Sequence, residues 1–140
     1  MAHTPYTLEI LTPEGLVFSG EAEFISSRTE TGSIGIYARH QPLLALLAPT
    51  ELRITLPGGE HKSFVQGEGY VQVSDERVLV LVEEAIDVKD ADAAAFQTAL
   101  DAARALEQSS DEGTEEHRRA ARSVRRYTAF LDVVGTASAA

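Results

Sequence analysis

Cysteine and tryptophan are absent from all 140 residues, and no apolar run is longer than the six residues 43–48. Without cysteine there is neither a disulfide framework nor a cysteine-ligated zinc site. A run of six falls far short of the ~20 apolar residues that a membrane-spanning helix requires. Positive charge is scarce as well: 12 Lys and Arg stand against 22 Asp and Glu, a net −10. A phosphate backbone repels such a balance, so nucleic acid is not an expected partner. The opening residues Met1-Ala2-His3-Thr4-Pro5-Tyr6 lack the cationic and apolar stretches of a secretion signal. Residence in the cytosol, without membrane insertion, is the expectation.

The chemistry-bearing patterns are missing too. His3, His40, His61 and His117 are isolated in sequence, with no HExxH or comparable metal-ligand spacing. There is no GxSxG elbow and no P-loop, and Gly67-Glu68-Gly69 lacks the third glycine of a dinucleotide fingerprint. Glu83 and Glu84 are neighbours, and adjacent strand residues point to opposite faces. The residues therefore predict no catalytic site, no metal and no cofactor.

What is present fits one globular domain, or one domain with an appendage. A chain of this length buries roughly two thirds of its unfolded surface, enough for a core without metals or bridges. Up to about residue 86, short runs rich in Val, Ile, Leu, Thr, Tyr and Phe alternate with Gly, Pro and Asp punctuation. Strands are expected at 6–11, 16–27 (interrupted near Gly20), 32–36, 43–48, 51–56, 61–66, 69–74 and 77–85. In Leu52-Arg53-Ile54-Thr55-Leu56 strict alternation puts Leu52, Ile54 and Leu56 on one buried face. Pro57-Gly58-Gly59 and Asp75-Glu76 read as turns. Val78-Leu79-Val80-Leu81-Val82 does not alternate, which predicts a strand covered on both sides. A β-sandwich or flattened barrel accommodates all of this.

After Asp87 the composition switches to alanine-rich sequence, with no glycine between Gly69 and Gly113. Phe96, Ala99, Leu100, Ala103 and Leu106 form one stripe of a helix over residues 91–109. A turn follows, Thr114 is placed to cap, and a second helix is expected from about 115 to 134. The product is an antiparallel two-helix hairpin after the β-domain, dividing the chain into residues 1–87 and 88–140. On a helical wheel with Arg118 at zero, Ala120, Val124, Tyr127, Leu131 and Val134 fall between about 160° and 240°. Arg118, Arg119, Arg122, Arg125 and Arg126 fall between about −20° and 100°.

The charge is unevenly spread. Residues 1–86 carry five basic and twelve acidic residues, 87–113 carry two and seven, and 114–140 carry five and three. Five arginines and no acid lie between residues 118 and 126. A solvated helix face usually mixes signs, so this one suits an anionic protein partner.

Gly32-Ser33-Ile34-Gly35-Ile36-Tyr37-Ala38-Arg39-His40-Gln41-Pro42-Leu43-Leu44 sets two glycines around a short strand, then His-x-Pro and a leucine run. By composition it is a tight connection with a buried strand behind it. The segment also resembles the signature of the F-type ATP synthase epsilon subunit family, G-x-L-G-I-x-x-x-H-x-P-L-L, with Ile34 in place of the leucine. Leu8 to Pro13 with Phe18-Ser19-Gly20-Glu21-Ala22 is similar to the family's opening hairpin. Gly67 to Val82 with Glu84-Ala85-Ile86 is similar to its last strands.

The resemblance implies a non-catalytic rotor part of a proton-translocating synthase. The sandwich would sit at the foot of the central stalk, bound to the gamma subunit and the c-ring, on the cytoplasmic face of the membrane. It would couple proton-driven rotation to ATP synthesis. The hairpin would fold on the sandwich or open into the alpha/beta catalytic head, where its basic helix meets acidic surfaces and blocks hydrolysis. Glu30, Ser33, His40, Gln41 and Pro42 would lie near the c-ring and gamma contacts; the family often has a glutamate where Ser33 stands, and Glu30 is near enough to replace it. Arg118, Arg119, Arg122, Arg125 and Arg126 would make the inhibitory contacts. The alternative is a nucleotide-sensing module binding ATP at Asp87, after the family's I/L-D-x-x-R-A motif. Here Ile86-Asp87-Val88-Lys89-Asp90-Ala91 has Asp90 for the arginine, and a carboxylate there repels phosphate.

Overall fold

A computed structural model describes residues 3–75 and 77–139. Ten strands come first: β1 (Tyr6–Thr12), β2 (Gly15–Ala22), β3 (Phe24–Thr29), β4 (Gly32–Tyr37), β5 (Leu43–Leu47), β6 (Thr50–Thr55), β7 (His61–Gln66), β8 (Gly69–Ser74), β9 (Arg77–Val82) and β10 (Ala85–Asp87). They make two layers, β10-β7-β6-β3-β4 and β5-β8-β9-β1-β2. β3 is the corner between them: Phe24, Ile25 and Ser26 pair with β6, and Thr29 pairs with Leu47 of β5. Only β1 and β9 run parallel; the other pairs are antiparallel.

Alternation along the strands fills the space between the layers. Leu8, Ile10, Leu52, Ile54 and Val80 are fully buried there, with Ile25, Ile36, Leu47, Phe64 and Val71 beside them. Leu56 packs against this core half-buried, one residue beyond β6, as the alternation of 52–56 predicts. Two polar groups tie the layers. The Tyr6 hydroxyl donates to the Ile36 carbonyl (2.7 Å), and buried Gln66 donates to the Ala48 carbonyl (2.9 Å) while accepting from Ser27 (2.7 Å).

Both segments expected as long strands are two strands, because the chain changes layer within each. The 16–27 segment breaks at Glu23 rather than near Gly20. Gly20 pairs normally with Leu8, whereas the Glu23 N–H has crossed to the Thr55 carbonyl (2.8 Å). The 77–85 segment breaks at Glu83-Glu84, and Ala85 then pairs with Gln66 in the other layer. β9 itself alternates after all: Val78, Val80 and Val82 are buried, while Leu79 and Leu81 lie only half-buried on the outer face. Ser74 pairs with Arg77 around the expected turn, of which Glu76 lies outside the described residues.

A single 3₁₀ turn at Val88–Asp90 leads into α1 (Ala93–Ser109) and α2 (Glu115–Ala139). The Asp92 carboxylate caps α1 by accepting from the Ala94 and Ala95 N–H groups. The Thr114 hydroxyl accepts from the His117 N–H (3.1 Å) at the start of α2. α2 continues five residues past Val134, the last apolar seam position, running through Gly135, and the Thr136 hydroxyl bonds back to the Asp132 carbonyl (2.9 Å).

The hairpin packs on itself through Phe96, Leu100 and Ala103 of α1 and Ala120 of α2, with Leu106 exposed. It also packs on the outer side of β7. Val65, Phe96 and Phe130 form a second buried cluster there, flanked by Ile86, Val88, Tyr127, Leu131, Val133 and Val134.

Candidate functional site

Phe130 shows what the helical wheel left out. It sits at about 120° on that wheel, outside the predicted seam, yet it is fully buried between Phe96 (ring centroids 5.2 Å) and Tyr127 (5.7 Å). α2 has two packing surfaces, one for α1 and one for the sandwich, and the second overlaps the arginine side of the helix. Arg126, at about 80°, therefore points at the sandwich rather than at solvent.

The five arginines fall into two groups. Arg118 and Arg122 pair with Glu115 of their own helix (3.3 and 3.0 Å), and Arg119 is exposed without an ion pair among the described residues. Arg125 reaches the β3–β4 turn, donating to both oxygens of Glu30 (3.1 and 2.9 Å). Arg126 reaches the β7–β8 turn, donating to both oxygens of Glu68 (2.8 and 3.0 Å), and its side chain is only 15% exposed. Acids do accompany these arginines, but from sequence positions 95 and 58 residues away.

The electrostatics follow from these contacts. The Arg125 hydrogen bonds hold the Glu30 carboxyl below its ordinary value. Burial alone would push Glu68 up, but the Arg126 guanidinium brings it below its ordinary value. The bond to Glu68 in turn raises Arg126 further. Glu84 is the opposite case: burial raises it, one of its oxygens is left without a partner, and the Tyr127 hydroxyl donates to the other (3.3 Å). Gly67 makes room for this group of side chains, since a Cβ there would lie 3.4 Å from Arg126 Cδ and 3.3 Å from the Glu84 nitrogen.

Asp87 stands apart. One oxygen accepts from Lys62 Nζ (2.8 Å) and the other from the Lys89 N–H (2.9 Å), capping the 3₁₀ turn. Burial would raise its carboxyl, but the Lys62 hydrogen bond brings it below the ordinary value. Both oxygens have structural partners, and nothing in this geometry favours a nucleotide at Asp87. Among the described residues, no three His, Asp or Glu side chains are placed to hold a metal ion.

The remaining candidates flank one strand. Glu30 occupies the β3–β4 turn with Ser33 exposed just after it, and His40, Gln41 and Pro42 form the loop at the far end of β4. β5 spans the distance between these two groups. Its leucine run is not a buried strand: Leu43, Ala45 and Leu47 face inward, while Leu44 and Leu46 stand 68% and 65% exposed. Tyr70, opposite Leu46 in β8, is 41% exposed, and the three side chains line a shallow groove of ≈ 450 Å³ with Ala45 and Gln72. Composition hid this face. Reading residues 43–47 with a period of two, rather than as a continuous run, places Leu44 and Leu46 outside.

The family model described as "ATP synthase, Delta/Epsilon chain, beta-sandwich domain" matches residues 5–88. The chain is 37% identical to the ATP synthase epsilon chain of Persephonella marina over 131 residues, covering 93% of this chain and 96% of that one. It belongs to the ATP synthase epsilon chain family. A second relative, the ATP synthase epsilon chain 1 of Methylococcus capsulatus, is 41% identical over 69% of each chain. Among solved structures, a chain of the Euglena gracilis mitochondrial ATP synthase shares the fold with a TM-score of 0.74 at 23% identity, over 94% of this chain and 82% of that one. An epsilon chain is an accessory subunit of the synthase and not a catalytic one. In this chain the two helices follow the β-sandwich as the sequence leads one to expect, and neither is long and apolar enough, among the described residues, to cross a membrane.

Proposed function

We propose that this chain is the non-catalytic central-stalk rotor subunit of a proton-translocating F-type ATP synthase, coupling proton-driven rotation to ATP synthesis and restraining ATP hydrolysis through its C-terminal helices. The observation that carries the reading is the bare apolar face of β5 and β8. Leu44, Leu46 and Tyr70 side by side on a sandwich of net negative charge are a surface that water disfavours and a protein partner covers. The gamma subunit is that partner, and Glu30, Ser33, His40, Gln41 and Pro42 at the two ends of the face make the polar contacts to gamma and the c-ring. Residues 1–87 do the binding, on the cytoplasmic side of the membrane. Residues 88–140 do the regulating.

The hairpin suits that second role because its hold on the sandwich is modest: one apolar cluster around Val65 and Phe130, two Arg–Glu pairs and the Tyr127–Glu84 hydrogen bond. Such an element has two competing packings, closed on the sandwich or open toward the alpha/beta head. Once open, Arg118, Arg119, Arg122, Arg125 and Arg126 meet acidic surfaces of the head. Leu44→Glu with Leu46→Glu tests the docking face. Both side chains are exposed, so the sandwich should stay folded while the chain stops co-purifying with gamma. Undiminished co-purification of the folded variant would remove the observation on which the reading rests.

A further inference from the structure

The geometry points to Glu30 and Glu68 acting as an internal decoy: in the closed hairpin they occupy the guanidinium groups of Arg125 and Arg126, the same groups an acidic protein target would need. This rests on the inhibitory reading of the hairpin and adds what keeps it from acting. Each bridge is bidentate, with both carboxylate oxygens used (2.9 and 3.1 Å at Glu30, 2.8 and 3.0 Å at Glu68). Glu30 takes the Nη1/Nη2 edge of Arg125 and Glu68 the Nε/Nη2 edge of Arg126, each cancelling the charge of its guanidinium, and the Arg126 side chain is only 15% exposed against the sandwich. A covered Arg126 does not reach an acidic target, and Arg125 offers it only a guanidinium already neutralised by Glu30, so full engagement of both requires exchange of partners.

Three features show that the sandwich is built for this exchange. The two acids come from separate turns, β3–β4 and β7–β8, so the pairing exists only when the whole hairpin lies closed. The β7–β8 turn carries Gly67, over which Arg126 lies so closely that an added Cβ would already be in contact with its Cδ (3.4 Å). The other three arginines are not held by the sandwich: Arg118 and Arg122 use Glu115 of their own helix, and Arg119 has no ion pair among the described residues. These three stay exposed in the closed hairpin and remain accessible for a first encounter with an acidic surface, while the last two are released only on opening. Removing the sandwich acids should then make the chain a stronger inhibitor, whereas removing the arginines should make it a weaker one. A merely structural pair would give both changes the same sign.

The test uses the full chain, whose lack of cysteine allows two spin labels at Ser19→Cys and Ala102→Cys, both exposed and remote from the pairs. The label-to-label distance separates closed from open hairpins. Glu30→Gln with Glu68→Gln should raise the open fraction about tenfold. Glu30→Arg alone should also open the hairpin, and adding Arg125→Glu to it should restore closure. In the assembled synthase, E68Q, which leaves the Glu30 contact to gamma and the c-ring untouched, should lower ATP hydrolysis below that with the unaltered chain, and R125Q/R126Q should raise it. An open fraction unchanged in E30Q/E68Q, or a charge reversal that fails to restore closure, overturns the decoy. A raised open fraction with hydrolysis unchanged in both variants leaves the latch standing and removes the inhibitory reading instead.

Discussion

Arg39 stands at φ 64°, in the left-handed region that costs a non-glycine residue on the order of 1 kcal/mol. The bend it makes after β4 lets the His40 N–H reach the Tyr37 carbonyl (3.3 Å) and turns the chain toward β5. Arg39→Gly relieves the strain and loses some of the gain to the extra freedom of the unfolded chain. Thermal unfolding should show a net stabilisation of at most about 0.5 kcal/mol. Gly69 is the reverse case. A Cβ there would fall inside contact distance of the Leu81 carbonyl and 2.6 Å from Val82 Cα, both main-chain atoms that cannot swing aside. Gly69→Ala should cost about 3 kcal/mol or more, read as a lowered denaturation midpoint. Neither position was legible in the sequence, since nothing local marks Arg39 as left-handed, and the conflict at Gly69 comes from a strand paired across the sheet.

At the scale of elements, period and punctuation carried most of the fold. Leu52 and Ile54, the Gly-rich turn after Pro57, and Phe96, Leu100 and Ala103 of the α1 stripe lie where alternation and helical spacing put them, while Leu106 at the end of that stripe is exposed. What was missed depends on a partner. The breaks at Glu23 and at Glu83-Glu84 are changes of layer, visible only once there are layers. Phe130 was missed because a wheel with one seam leaves no room for a helix packed on two sides. Phe130→Ala should remove about 3–5 kcal/mol of hairpin docking, with hydrogen exchange showing lost protection in α1 and α2 while the sandwich amides hold.

The same element responds to pH in two directions. Glu30 and Glu68 are held below their ordinary values by the hairpin arginines, so their support for closure is full above those values and is lost as pH falls through the depressed ones. Glu84 is raised by burial, so its support is full below its ordinary value and is lost as pH rises through the raised one. Closure should therefore be greatest in a weakly acidic window. In label-distance measurements, Glu84→Gln should flatten the decline on the neutral side and leave the loss at low pH unchanged.

For the molecule as a whole, the net charge of −10 separates into an acidic body and a basic second helix, and the structure adds that the body's acids meet that helix. The order of β-domain and hairpin was legible because composition changes sharply at Asp87. The docking of one on the other was not, since Glu30 and Glu68 give no local sign of their partners. The first buried cluster draws all its buried residues from the ten strands, so the sandwich should keep its core without the hairpin. That independence makes removal of residues 88–140 the most direct test of the central claim, which is that the sandwich couples and the hairpin restrains. In a synthase assembled with residues 1–87 alone, ATP hydrolysis should rise several-fold while gamma binding and ion-driven ATP synthesis are retained. Hydrolysis equal to that of the complex with the full chain would contradict the account.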